Sequence, residues 1–387
     1  MSVVPLSAGK DRVVFKPAHQ TCYDAGKLPR YVYVTRSTAL PSAWAGSETF
    51  CEFELPQTLG TVEEIIVRFQ ITASASTVAP PTTLWVSRTE EYIGADLLAT
   101  TYANDQHNET VGFLNPQRLD QLNEALNMGI DYSNGTIPSG SSYYYLPLSA
   151  TSFNTMNPYV KGFQAKLKVR LYFPASLVIS GGTLTLNDVL LIAKERVSKE
   201  DDHINRAHTR GTVDYNAIVR ERQVENTTLT SGADTTIFLR SFKNDSAGLL
   251  VYLTDQSPAS SNLTVRLPVQ TLQLQDQVGN KISEVLRQDF VRPFVWSDHI
   301  DSAYVASGSN NNVNLIPFSS KFQATASTGC DYGSYPMTSL EKLVIRPSDA
   351  SGNFGSKAIN VTSYSYAHVV VNQGRHFITM SSTSGGR

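Results

Sequence analysis

The sequence predicts an all-β protein made of two tandem jelly-roll β-barrels, a double jelly roll with short helices in its loops. Three observations carry this expectation. Short runs along the whole chain alternate apolar and polar residues at period two, the pattern of half-buried strands. The 387 residues include 18 Tyr and 16 Phe while only 17% are charged, a composition suited to strands rather than to charge-rich helices. The second half also repeats the order of features in the first, and about eight strand candidates per half fit two sheets packed face to face. The length agrees, since roughly 100–200 residues make a domain able to bury its own core.

The clearest landmark is residues 162–197. Lys166, Lys168 and Arg170 alternate with Leu167, Val169 and Leu171, Ser180-Gly181-Gly182 marks a turn, and Leu184, Leu186, Val189 and Leu191 form a second run before the charged segment 194–202. We read this as two strands paired across the turn, closing one barrel and handing the chain to a connector.

Residues 1–47 have scattered prolines and little periodicity apart from Tyr31-Val32-Tyr33-Val34, and read as an extended arm. The first barrel is expected over 48–198. Its strands are read at Thr49–Leu55, stopping at Pro56, then Thr61–Ser74, Thr83–Ser87 and Tyr143–Leu148. Between them, residues 92–140 exceed a hairpin loop and carry one predicted helix. Asn115 is its N-cap, Pro116 its first residue, Leu119, Leu122 and Leu126 its apolar face, and Gly129 its stop. The insertion could meet a receptor or cap the assembly, and we favour the cap.

A linker follows at 199–212, then the second barrel at 213–380 and a tail at 381–387. Strands are read at Tyr215–Val224, Thr235–Leu239, Gly248–Leu253, Asn262–Leu274, Val313–Phe318, Leu340–Arg346 and Ile359–Val371, with Ser283–Asp298 helical and broken at Pro293. Three short matches relate the halves. Leu146-Pro147-Leu148-Ser149 recurs as Ile316-Pro317-Phe318-Ser319, at an offset of 170. Ile93-Gly94-Ala95-Asp96-Leu97 recurs as Val278-Gly279-Asn280-Lys281-Ile282, at 185, and Leu184-Thr185-Leu186 as Ile359-Asn360-Val361, at 175. Three matches in one order at nearly one offset argue for a tandem repeat.

The net charge of −2 gives no sign of a nucleic-acid binder, but its distribution is uneven. Residues 1–47 carry +4 and residues 351–387 carry +3, which leaves −9 for the middle. Basic ends on an acidic body suit arms lying on an anionic surface, and equally suit solvated termini with a few lysines. Cys22, Cys51 and Cys330 cannot all pair and have no metal-ligand spacing. The start MSVVPLSAGKDR has no long apolar core and no run approaches the length of a membrane span, so neither a signal peptide nor an anchor is expected. The sequons at Asn108, Asn134, Asn226, Asn244, Asn262 and Asn360 are read as chance.

Candidate chemistry is sparse. Glu63-Glu64, Glu90-Glu91 and Asp201-Asp202 are adjacent pairs, and neighbours on a strand point to opposite faces. No His-x-His metal set, Walker loop or Gly-x-Ser-x-Gly elbow occurs, and His203 and His208 read as solvated connector residues. Tyr143-Tyr144-Tyr145, Tyr364 and Tyr366 could form a sugar platform, but packing in a core or subunit interface is the default for strand aromatics. Lys166, Lys168 and Arg170 read as an exposed face, not a phosphate site. No catalytic, cofactor-binding or metal-binding residue is assigned, and no cofactor is expected.

Three stretches carry a resemblance to a known family. Tyr145-Leu146-Pro147-Leu148, the run 162–172 and Leu184-Thr185-Leu186-Asn187-Asp188-Val189-Leu190-Leu191, followed late in the chain by 361–369 and Gly374, resemble the double jelly-roll major capsid proteins of tailless icosahedral DNA viruses. That group includes tectivirus and corticovirus coats and, more distantly, the adenovirus hexon. The resemblance covers about residues 48–380. It implies a structural protein rather than an enzyme, assembled as pseudo-hexameric homotrimers that tile a virion shell after synthesis in the host cytoplasm. It also implies neighbouring trimers, penton and minor capsid proteins as partners, an internal lipid membrane as a further one, and no specific nucleic-acid binding. Termini in that family lie on the inner side, which makes Lys10, Arg12, Lys16, Lys27 and Arg30 candidate inner-surface contacts. The alternative from a different class is a tandem jelly-roll glycan-active enzyme or carbohydrate-binding protein.

Overall fold

The computed structural model describes residues 29–113, 116–129, 132–196, 201–256, 263–283, 286–287, 312–319, 334–349 and 354–380. The first half contains β1 (Pro29–Val34), β2 (Thr49–Glu54), β3 (Thr61–Ala73), β4 (Thr77–Ala79), β5 (Arg88–Ile93), β6 (Asp96–Tyr102), β7 (Gly135–Ile137), β8 (Gly140–Pro147), β9 (Leu167–Phe173) and β10 (Leu184–Arg196). The second contains β11 (Thr212–Leu229), β12 (Thr235–Phe238), β13 (Asp245–Asp255), β14 (Val269–Asp276), β15 (Leu286–Arg287), β16 (Val313–Pro317), β17 (Tyr335–Pro336), β18 (Leu340–Pro347), β19 (Gly355–Asn372) and β20 (Arg375–Met380). Helices are α1 (Ala103–Phe113), α2 (Pro116–Leu122), α3 (Ser152–Met156) and α4 (Asp201–Arg210).

Two four-stranded sheets build the first barrel, in the orders β1-β10-β3-β8 and β2-β9-β5-β6, with β4 paired to β7 beside them. The second barrel has β11-β19-β13-β16 and β12-β18-β14-β15, extended by β17 on β13 and β20 on β19. With the minor strands set aside, each half supplies eight strands in chain order. Both halves arrange them as first-eighth-third-sixth in one sheet and second-seventh-fourth-fifth in the other. All these pairings are antiparallel. The chain is two jelly rolls with one strand order.

Two of the three sequence matches fall at equivalent places. Pro147 ends β8 opposite Ile66, and Pro317 ends β16 opposite Gly248. Gly94 and Gly279 both sit in the turn between the fourth and fifth strands at positive φ, +67° and +91°, where a residue without Cβ is unstrained. The third match is slipped by two residues. Leu186 pairs with Ile71 and Ile359 with Leu253, which are equivalent once the prolines are aligned, so Ile359 rather than Val361 answers Leu186. A slip of two keeps the same face of the strand inward, which is why alternation alone did not reveal it.

Several expectations are corrected. Residues 29–34, expected within the arm, are β1, an edge strand of the first barrel. The strands at 167–173 and 184–196 do not pair with each other. β9 lies between β2 and β5 while β10 lies between β1 and β3, because the connection around Gly181 crosses from one sheet to the other. Residues 83–87 are not a strand; Thr82–Leu84 form a 3₁₀ turn that sets Trp85 in the core. The predicted helix starts at Pro116 but ends at Leu122, and Leu126 is buried beyond its end. Leu286–Arg287 are a short strand, while most of the helix expected over 283–298 lies outside the described residues.

The first core gathers Phe53, Ile65, Phe69, Trp85, Leu146, Val169, Phe173 and Leu191, all fully or almost fully buried. Each such side chain contributes about 1.5–3 kcal/mol over leaving it in water. Cys51 belongs to this core, and burial pushes its thiol up to about 12 against the pull of Arg36, so it is an unreactive apolar filler. The second core packs Leu249, Val251, Leu253, Leu272, Leu343, Ile345, Ile359 and Val361. The barrels are joined rather than strung, since Ala217 and Val219 of β11 and Ala367, Val369 and Val371 of β19 lie in the first cluster.

α4 closes this junction. His208, expected as a solvated connector residue, is 2% exposed against Tyr159, Phe163 and Tyr215. Its Nδ1 lies 2.8 Å from the Ile204 carbonyl, which only accepts, so Nδ1 carries the proton and Nε2 accepts from the Tyr215 hydroxyl at 2.6 Å. Burial holds this imidazole below its ordinary range, outweighing the Ile204 hydrogen bond.

His107 on α1 gives a pH prediction. It is buried with Nδ1 2.9 Å from Thr83 Oγ1, and burial together with the nearby Arg266 charge pushes its pKa down to about 3. The unfolded chain takes this proton below about pH 6.5, whereas the folded chain refuses it until about pH 3. The resulting stability is present above 6.5 and lost as pH falls. Between pH 7 and pH 4 the wild type should lose about 3 kcal/mol relative to His107→Gln. Urea unfolding of both proteins across that range checks it; parallel curves would refute it.

Candidate assembly surfaces

Two surfaces stand out: one between the barrels and its counterpart on the open side of the first barrel. At the first, α1 lies against the outer face of sheet β11-β19-β13-β16. Its sequence ANDQHNETVGF has no apolar stripe, yet Asp105, Gln106, His107, Asn108, Glu109 and Thr110 are all buried. Gln106, His107 and Thr110 turn back to the first barrel, to the Pro147 carbonyl, Thr83 and Ser149, whereas Asp105, Asn108 and Glu109 are met by the second barrel. The Arg220 guanidinium of β11 grips Glu109 with two hydrogen bonds, Nε to Oε1 and Nη2 to Oε2, each 2.6 Å. The Tyr364 hydroxyl donates to Glu109 Oε1 at 2.9 Å, and the Thr362 hydroxyl to Asp105 Oδ1 at 2.8 Å. Arg266 reaches Asn108 Oδ1 at 2.9 Å and Asn104 Oδ1 at 3.2 Å. Burial pulls the Arg220 pKa down, but the Glu109 carboxylate outweighs it and keeps the guanidinium charged.

α3 adds a second seam. The Ser152 hydroxyl donates to the Ile218 carbonyl at 2.6 Å, and the Ile218 N–H donates to Thr155 Oγ1 at 3.1 Å. Glu91 holds α3 from below, accepting from the N–H groups of Ser152 at 2.5 Å and Phe153 at 2.7 Å. Burial pushes Glu91 up to about 7 despite these donors. Its neighbour Glu90 points to the opposite face and meets Arg88, Tyr92 and Tyr172, so the two are not an acid/base pair.

The other singled-out residues are dispersed. Lys166 pairs with Glu54 at 2.5 Å, Arg170 with Glu52 at 2.7 Å and Lys168 with Glu52 at 3.5 Å, which makes that face a neutralised ladder. Glu63 is held by Lys194 and Arg196. The three consecutive tyrosines divide: Tyr143 is 51% exposed, while Tyr144 is buried against Trp85 with ring centroids 5.4 Å apart. Tyr364 and Tyr366 are buried between the barrels, not on a sugar platform. Among the described residues no three His, Cys, Asp or Glu are grouped to hold a metal ion. Of the candidate inner-surface contacts, Lys10, Arg12, Lys16 and Lys27 lie outside the described residues. Arg30 is on β1, pairing its half-exposed guanidinium with buried Glu195 at 2.7 Å.

Sequence reasoning missed Asp105, Glu109 and Arg220, because helix recognition rests on apolar periodicity and α1 has none. It also missed the exposure of Tyr31 and Tyr33, which read as an arm.

No protein-family model matches this chain, and no curated protein matches it. Solved structures do. A chain of the PBCV-1 virus capsid superposes with a TM-score of 0.70 at 11% identity, covering 92% of this chain and 97% of that one. The Faustovirus major capsid protein gives 0.61 at 8% identity, covering 94% and 92%. The mavirus major capsid protein gives 0.54 at 12%, covering 98% and 97%. At identities this low the likeness speaks for architecture, and it extends over nearly the full length of each partner. The chain has the double jelly-roll fold of viral major capsid proteins.

Proposed function

We propose that this protein is the major capsid protein of an icosahedral virus, a structural subunit and not an enzyme, which self-assembles as a pseudo-hexameric homotrimer and tiles the shell with neighbouring trimers. The observation that carries this reading is end-to-end correspondence with solved capsid chains, in a molecule whose two barrels share one strand order. Function on this reading lies in surfaces. Penton and minor capsid proteins meet the trimer at its margins, the virion is its location after synthesis in the host cytoplasm, and no specific nucleic-acid contact is needed. The positive charge of Lys10, Arg12, Lys16 and Lys27 suits an inner anionic surface, with a lipid membrane as the partner. Arg30 is committed to Glu195 and belongs to the barrel.

Native mass measurement on purified protein tests the reading, with a stable trimer expected. A clean monomer that cleaves glycans would overturn it in favour of the enzyme class. The arm is tested by deleting residues 1–28, which leaves β1 intact. The truncated protein is expected to form trimers but to assemble few shells by electron microscopy, and loss of the trimer itself would assign the arm to the trimer contact.

A further inference from the structure

One face of β19 changes character twice along its length. Ala367, Val369 and Val371 lie in the first core, Ile359 and Val361 lie in the second, and Ser363 and Ser365 stand between them on that same face. The register sets Glu221 of β11 directly opposite Ser363, and Ser246 of β13 directly opposite Ser365. Four polar residues therefore form one belt where the two apolar cores meet. All three serines are fully buried, and β13 breaks register between Ser246 and Gly248, the kind of bulge that gathers beside functional sites.

The belt does not satisfy itself. Ser363 donates to Ser246 Oγ at 2.9 Å, Ser246 donates to the Gly248 carbonyl at 2.8 Å, and Asn244 Nδ2 donates to Glu221 Oε1. Glu221 Oε2 and Ser365 Oγ are buried and meet no hydrogen-bond partner among the described residues. A buried carboxylate oxygen left this way is costly, and such groups are otherwise paired with a cation or bound to a metal. Lys243 bears on Glu221 through its charge, but its side chain is exposed and makes no ion pair with it. Burial accordingly holds the Glu221 carboxyl above its usual range, outweighing the hydrogen bonds from Asn244 and from the Lys243 backbone.

We propose that the belt binds a hard divalent cation, Ca²⁺, through Glu221 Oε2 and the hydroxyl oxygens of Ser363 and Ser365, with water completing the shell. A water molecule alone would satisfy the hydrogen bonding but leave the charge of Glu221 uncompensated, whereas a cation meets both needs. The donors are oxygen only, which suits Ca²⁺ or Mg²⁺ and not zinc or copper. Side chains on paired strands stand about 4.5–8 Å apart, directly or diagonally. The flexible shell of Ca²⁺ accepts ligands spaced this way more readily than the tight octahedron of Mg²⁺. One carboxylate among neutral oxygens makes a weak site, with a Kd of about 1 mM. The ion ties β11 to β19 at the point where one core gives way to the other, and so braces the joint between the barrels. This inference is independent of the assembly reading above.

Terbium luminescence tests it directly, because Tyr335 lies directly opposite Ser246 and can sensitise a lanthanide held in the belt. Wild type is expected to show saturable Tb³⁺ emission that Ca²⁺ displaces, with Mg²⁺ at least about tenfold less effective. Glu221→Gln and Ser365→Ala are each expected to weaken Tb³⁺ binding at least about tenfold, since each removes a ligand. Thermal melts at fixed ionic strength give a second readout: about 10 mM Ca²⁺ is expected to raise the wild-type Tm by about 2 °C and to leave Glu221→Gln unmoved. Emission of unchanged affinity in both variants arises elsewhere on the molecule and overturns the belt as the site. A wild type with no saturable emission and no response of Tm to Ca²⁺ overturns it equally. Should Glu221→Gln fail to fold, Ser365→Ala, which removes a single hydroxyl, carries the same comparison.

Discussion

Glu109→Ala is expected to destabilise the protein by about 3–5 kcal/mol, the cost of leaving one partner of a buried ion pair alone. The Arg220 side chain, 4% exposed, loses both of its 2.6 Å acceptors, and the Tyr364 hydroxyl loses its own. Solvent cannot replace them, because the pair lies between α1 and the β11-β19-β13-β16 sheet. The companion Glu109→Leu/Arg220→Met should recover a large part of the loss, since replacing both charges by apolar groups removes the desolvation penalty with the attraction. Chemical denaturation of the single and double variants gives the coupling. A loss below about 1 kcal/mol for Glu109→Ala is the value of a solvent-exposed pair and would contradict the buried arrangement.

Trp85→Ala is expected to cost about 3–5 kcal/mol as well, by a different mechanism. Trp85 is fully buried and packs its ring on Phe69, Tyr144 and Trp44, with centroids 5.4, 5.4 and 5.9 Å away. Its Nε1 donates to the Pro80 carbonyl at 2.8 Å. Alanine leaves a cavity bounded by strands that hydrogen bonding prevents from collapsing, and strands that acceptor of its donor. Trp85→Phe keeps most of the volume and should cost clearly less. Thermal melts of the two variants check the ranking, and equal losses would mean that the indole hydrogen bond rather than the volume dominates.

Strand positions and the repeat were legible because they rest on signals that survive in a single sequence. Alternation located β3, β8, β12, β16 and β18 to within a residue or three, and a proline ending the same strand in each half exposed the duplication. What stayed hidden depends on partners distant in sequence. β1 looks like an arm because nothing nearby in the chain says that β10 is its neighbour. Pairing β9 with β10 followed from proximity along the chain, which a sheet-crossing connection defeats. α1 was invisible because its residues are buried by charge recognition, so the Asp, Asn and Glu that mark it also mark loops.

The polar character of α1 also bears on how the chain is made. The first barrel leaves the ribosome before β11 and β19 exist, and partly synthesised proteins aggregate through apolar surface that awaits its cover. The helix waiting here shows water Asp105 and Glu109, which stay hydrated until Arg220 and Tyr364 arrive. A nascent half-molecule is thereby kept dispersed by the same carboxylates that later lock it to its twin.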